Sequence, residues 1–177
     1  MKIWADVAAE LSMSAFQLIG PIPEQFSHLD SLSASQLDRS GIMRVTPDSK
    51  SSFPRRISLQ DAGPGDELLL LPYGHQPACS PYRASGPIYV RVGARKSILR
   101  PGQIPPYVSH RLISVRSYDI HHMMVLAEIC PGDEAAAQIQ RQISDPRVSY
   151  IHLHNARRGS FSCRVERTTA VERASVC

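Results

Sequence analysis

The sequence predicts an α+β fold, a single domain with a mainly antiparallel β-sheet and a few helices packed on it. Three observations carry this. Stretches of alternating apolar and polar residues follow one another directly, as neighbouring antiparallel strands do. Helical patterns are confined to the start of the chain and to one late segment, which argues against βαβ repeats. The chain has 177 residues, 42% of them hydrophobic, enough for one sizeable core.

In order, residues 1–15 read as a tail or short helix, 16–167 as the domain and 168–177 as a polar tail. Phe16 to Gly20 is a first strand, stopped at Gly20-Pro21. Pro23 to Leu32 makes a helical turn or two with Phe26, Leu29 and Leu32 on one side. Ser33-x-x-Gln36 is a capping box and Gly41 a helix stop. Ile42 to Thr46 reads as a strand, and Pro47 to Arg56 as a polar loop. Glu67 to Tyr73 reads as a buried strand, whose four leucines imply that both faces are covered or that one face meets another layer. Gly74 to Ser85 is a long loop, and Gly86 to Val92 a returning strand. Pro101 to Pro106 is a rigid connector. Leu112 to Tyr118 and Met123 to Ile129 are strands joined by a turn at Asp119-Ile-His-His122. Asp133 to Ile143 is a helix with acids at its start, Arg141 near its end and Pro146 beyond.

The last element is a hairpin, Tyr150 to Val165, reading YIHLHNARRGSFSCRV. Strand side chains alternate between faces, so Tyr150, His152 and His154 share one face and Ile151 and Leu153 the other. Burial favours a register that groups Ile151, Leu153, Phe161, Cys163 and Val165. His152 and His154 then lie with Arg164 and Glu166, away from Cys163, which disfavours a His-His-Cys metal site.

The formal net charge is +4, with arginines scattered along the chain. That balance permits a small anionic partner. Without a basic run interleaved with aromatics, nucleic acid is not the expected partner. Cys79, Cys130, Cys163 and Cys177 form no CxxC pair and have no zinc spacing. They read as reduced thiols of a cytoplasmic protein. Lys2, Asp6 and Glu10 interrupt any N-terminal apolar run of the signal-peptide kind, and no stretch is apolar enough to cross a membrane as a helix.

The second informative stretch, LPYGHQPACSPYRASGPIYV, concentrates Tyr73, His75, Tyr82, Arg83 and Ser85 between prolines and glycines. Arg83 could fork onto a carboxylate or phosphate. The motifs HQPACSPYRASGPIYVR, RSYDIHHMM and YIHLHNARRGSFSCRV resemble those of the bacterial domain-of-unknown-function family twelve-oh-three, from about Phe16 to Arg167. The resemblance implies a single-domain bacterial protein, and supplies no substrate. It marks Tyr73, His75, Ser80, Tyr82, Arg83, Ser85, Gly86, Arg116, Tyr118, His152, His154, Asn155, Arg157 and Cys163 as motif positions.

Three classes of function remain open. One is an enzyme on a small anionic molecule, with His75, His152 or His154 in acid/base roles. Its ligand pocket would form where the loop from Tyr73 to Ser85 meets the strand end from Tyr150 to Arg157. Tyr73, Tyr82, Arg83, Ser85, Arg116, Tyr118, Asn155 and Arg157 would line it. The second is a metal site on His152 and His154, which needs further ligands such as His75 and Glu128. The third is a non-catalytic interaction module. No GxSxG, HExxH, P-loop or dinucleotide fingerprint is present. The sequence names no cofactor and no oligomeric state. Thiol titration of the denatured, unreduced protein should count four free cysteines; a count of two would place the protein in an oxidising compartment.

Overall fold

The computed structural model describes residues 16–48 and 53–168. The expected N-terminal tail or helix, nearly all of the C-terminal tail, and Cys177 lie outside the described residues. In chain order the strands are β1 (Phe16–Ile19), β2 (Met43–Val45), β3 (Pro54–Arg55), β4 (Gln60–Asp61), β5 (Leu68–Gln76), β6 (Ala84–Arg91), β7 (Leu112–Tyr118), β8 (Met124–Pro131), β9 (Tyr150–Asn155) and β10 (Phe161–Arg167). The α-helices are α1 (Ala34–Arg39), α2 (Pro106–Ser109) and α3 (Ala135–Ile143). The fold is α+β, but its strands form two five-stranded sheets where the sequence suggested one. Their orders are β1-β10-β9-β7-β8 and β2-β5-β6-β3-β4. Every pairing is antiparallel except the short β3–β6 contact at Arg55 and Tyr89.

Each sheet has its own apolar cluster, which is why there are two. Under the first sheet, Ile139 and Ile143 of α3 pack on Ile113, Val115, Ile151, Leu153, Cys163 and Val165, all fully buried. Against the second, Leu69, Leu71, Ile88 and Val90 pack on Phe26, Leu29, Leu37 and Ile42. The capping box on α1 is formed by Ser33 and Gln36 as expected, and Gly41 follows at φ +68°. Pro23–Gln25 and Ser27–Ser31 are 3-10 turns that bury Leu29.

Three local expectations change. β5 continues through a bulge to Gln76, so His75 stands on a strand end rather than in a loop. The stretch read as a polar loop before Arg56 ends in β3, and Arg56 itself is buried. The hairpin register also differs at one residue. Phe161 faces His154 and Cys163 faces Leu153, so Ser162 is an extra residue on β10. Ile151, Leu153, Cys163 and Val165 share the core face as expected, while Phe161 is turned to the histidine side. Cys163 stays away from the histidines. Cys79, Cys130 and Cys163 are free thiols. Among the described residues no helix is long and apolar enough to cross a membrane.

Two glycines set where the later arginines stand. A Cβ at Gly20 would lie 2.4 Å from the Arg56 carbonyl oxygen. A Cβ at Gly132 would lie 2.0 Å from the Val108 carbonyl oxygen and 2.6 Å from that of Arg111. Both approaches involve backbone, which cannot swing aside as a side-chain tip can. Gly132→Ala is therefore expected to cost about 2–4 kcal/mol in chemical denaturation. Gly74→Ala, where a Cβ meets nothing within 4 Å, should be neutral or slightly stabilising.

Candidate functional site: a histidine cluster beside an arginine cleft

The expected convergence of β5 and β9 does occur. The His75 ring centroid is 5.1 Å from that of His154 and 6.2 Å from that of His152. Tyr118 lies 5.1 Å from His152 and stacks on Tyr150 at 5.2 Å. Arg116 is the β7 partner of His152. Tyr73 approaches Phe161 at 6.0 Å and Tyr82 approaches Tyr118 at 6.2 Å. The Arg164 guanidinium sits 3.9 Å over the Tyr150 ring. Arg83 and Ser85 are exposed at the start of β6.

This junction is filled by side chains. Phe161 stacks on His75 at 5.2 Å and contacts His152 and His154 at 5.2 and 5.7 Å. The ring turned in by the bulge is thus the shared neighbour of all three histidines. Among the described residues no three His, Cys, Asp or Glu side chains are grouped to hold a metal ion. The metal reading of His152 and His154 therefore lacks a third ligand among the described residues.

The electrostatics also limit acid/base chemistry. Burial pushes His152 down to about 2, with the charges of His154, Arg164, His75 and Arg116 adding to it. Burial takes His154 to about 4, against a raising hydrogen bond to the Gly159 carbonyl. Burial also lowers His75. His152 and His154 are neutral near pH 7 and carry no acidic imidazolium proton to give there. His154 Nδ1 lies 3.0 Å from the Gly159 carbonyl oxygen, which can only accept, so this nitrogen carries the proton. Nε2 is then a bare acceptor, buried and without a hydrogen-bond partner among the described residues.

The open space lies next to the cluster, between the two sheets. A cleft of about 590 Å³ is lined by Pro54, Arg56, Leu70, Pro87, Tyr89, His110, Arg111, Leu112, Asn155, Arg157, Arg158 and Ser160. Of the expected ligand-binding residues, Asn155 and Arg157 line it, while Tyr73, Tyr82, Arg83, Ser85, Arg116 and Tyr118 do not. Arg56 is only 1% exposed. It donates through Nη1 to the Pro54 carbonyl at 3.2 Å and through Nη2 to Ser160 Oγ at 3.2 Å. Its Nε is buried without a hydrogen-bond partner among the described residues. Desolvation lowers its pKa, and the nearby charge of Arg111 acts in the same direction.

Arg111 is neutralised differently, by a two-pronged pair with Asp61 at 2.6 and 3.1 Å. Among the described residues, no carboxylate forms an ion pair with Arg56, Arg157 or Arg158. Ser160 Oγ accepts from Arg56 and, at 3.4 Å, from Asn155 Nδ2, which leaves its own proton to donate.

Arg56, His110, Arg111, Arg158 and Ser160 escaped sequence reasoning. Arg158 was next to a chosen residue. For Arg56 the only local signal is its place between Pro54 and the apolar alternation of Ile57 and Leu59, which is unusual company for a solvent arginine.

The histidine cluster has a measurable signature. Unfolded histidines take up protons near pH 6.5, whereas folded His154 resists until about 4 and His152 until about 2. Between those limits the unfolded state binds more protons, so stability is full above about pH 6.5 and falls as pH drops. His154 alone should account for a loss on the order of 3 kcal/mol by pH 4. Denaturation from pH 7 to pH 4 should show this slope, and His152→Phe should make it shallower while leaving the part due to His154. A level profile in the wild type would mean the histidines are not buried as neutral groups.

A family model described as "Protein of unknown function (DUF1203)" matches residues 52–167 of this chain. No curated protein and no solved structure matches it significantly.

Proposed function

The chain belongs to this family of proteins of unknown function, DUF1203, and we propose that it binds a small anion in the arginine cleft between its two sheets. One observation carries the reading: Arg56, which lines the cleft, is buried, charged and, among the described residues, without a carboxylate partner, and its Nε makes no hydrogen bond to them. An arginine keeps its proton even when desolvated, so its burial is costly unless an anion compensates it. Arg157 and Arg158, exposed at the rim, draw an anion in and close over it, while Arg56 and Ser160 meet it from below. Asn155 holds Ser160 in place.

The histidine cluster then acts as scaffold. His154 grips the Gly159 carbonyl and so holds the turn that carries Arg157, Arg158 and Ser160. Neutral histidines suit this role: they donate one hydrogen bond and pack as aromatic rings. The reading requires binding only, and it assigns no reaction.

The sign of one substitution separates binding from structure. Replacing a buried, uncompensated charge with an apolar residue of similar length is often close to neutral. Arg56→Met should therefore stay within about 1 kcal/mol of the wild type while losing phosphate binding. Arg157→Ala should weaken phosphate by about 1.5–3 kcal/mol, and Arg83→Ala should change nothing. In a melting screen, inorganic phosphate at a hundred times its dissociation constant should add about 2.7 kcal/mol to the wild type. If Arg56→Met melts early and phosphate protects nothing, Arg56 is a structural arginine and the reading fails.

A further inference from the structure

The cleft is built for more than a bare anion. Its lining mixes two chemistries. Arg56, Arg157, Arg158 and Ser160 are polar. Leu70, Pro87, Tyr89 and Leu112 are carbon-rich: Leu70 and Tyr89 pair across β5 and β6, and Leu112 stands at the start of β7. The Tyr89 ring is braced by an edge contact with Phe53 at 5.2 Å. Leu112 is 42% exposed, although it opens a strand whose next three residues are buried. At about 590 Å³ the space falls within the roughly 300–1,000 Å³ usual for organic ligands, far beyond the needs of an inorganic ion.

Charge narrows the class further. With Arg111 neutralised by Asp61, the guanidiniums of Arg56, Arg157 and Arg158 in the lining have no carboxylate partner among the described residues. A phosphate monoester carries about −1.5 to −2 near pH 7 and has three acceptor oxygens, whereas a carboxylate brings a single charge. Resting on the anion reading of the cleft, we propose that its ligand is an organic phosphate monoester with a flat apolar body. The phosphate is held by Arg56, Arg157 and Arg158, and the body lies against Leu70, Tyr89 and Leu112.

Titration calorimetry on the full chain with four probes tests this: inorganic phosphate, methyl phosphate, phenyl phosphate and benzoate. Phenyl phosphate should bind at least tenfold more tightly than methyl or inorganic phosphate, and benzoate more weakly than any phosphate. In Leu112→Ser the ratio between the phenyl and inorganic phosphate affinities should collapse severalfold. Arg83→Ala, away from the cleft, should preserve it. If the three phosphates bind equally, the apolar wall is irrelevant and this inference is overturned while the anion cleft stands. If benzoate matches phenyl phosphate, the commitment to a phosphate is overturned. If none of the four binds, the anion cleft itself fails and this inference with it.

Discussion

One extra residue in β10 decides what lies at the junction of the two sheets. With Ser162 inserted, Phe161 stands opposite His154, while Cys163 keeps its place opposite Leu153. Without that bulge Phe161 would join the apolar cluster under the first sheet, and the three histidine rings would border a gap. With it, a phenyl ring packs among His75, His152 and His154 and excludes water from them. Ser162, buried by the same step, satisfies its hydroxyl against the Tyr107 hydroxyl at 2.7 Å. The low proton affinities of the histidines follow from this dry packing.

The junction is tied by polar contacts as well as rings. Gln76 at the end of β5 donates to the Tyr150 hydroxyl at 2.6 Å, and His122 Nδ1 lies 3.0 Å from the same oxygen. Since that oxygen already accepts from Gln76, its proton is free to go to His122. His122 sits at φ +63°, a left-handed conformation that non-glycine residues adopt at some cost. The backbone there is held on both sides: Ser80 Oγ donates to the His122 carbonyl at 3.2 Å, and Asp119 Oδ1 accepts from the His121 and Met123 amides. The loop between β5 and β6 is thereby fastened to the turn between β7 and β8.

The arginines divide by partner. Arg44, Arg55, Arg91, Arg147 and Arg164 each meet a carboxylate away from the cleft, and Arg111 meets Asp61 at its edge. Arg56, Arg157 and Arg158, which form no ion pair with a carboxylate among the described residues, come together where both sheets and the β9–β10 turn meet. The close backbone approaches of Gly20 to Arg56 and of Gly132 to Arg111 hold the backbone of two arginines of the cleft by main-chain packing. A positively charged wall kept rigid in this way pays its ordering entropy on folding, before any ligand arrives.

Local patterns in the sequence carried the elements. The period-two alternation of Leu112 to Tyr118 coincides with β7, the Ser33–Gln36 capping box opens α1, and the acids and Arg141 bracket α3, because each signal acts over a few residues. The histidine face and its meeting with β5 were also legible, since alternation and shared turn chemistry placed them. The split into two sheets was not, because long-range pairing depends on which apolar faces find each other. Nor was the bulge at Ser162, where a one-residue insertion leaves the pattern of hydrophobic residues nearly unchanged. Arg56 could be recognised only in three dimensions. An arginine's burial and the presence or absence of a carboxylate beside it are set by segments distant in the chain, here β3, the β9–β10 turn and the glycine at the end of β1.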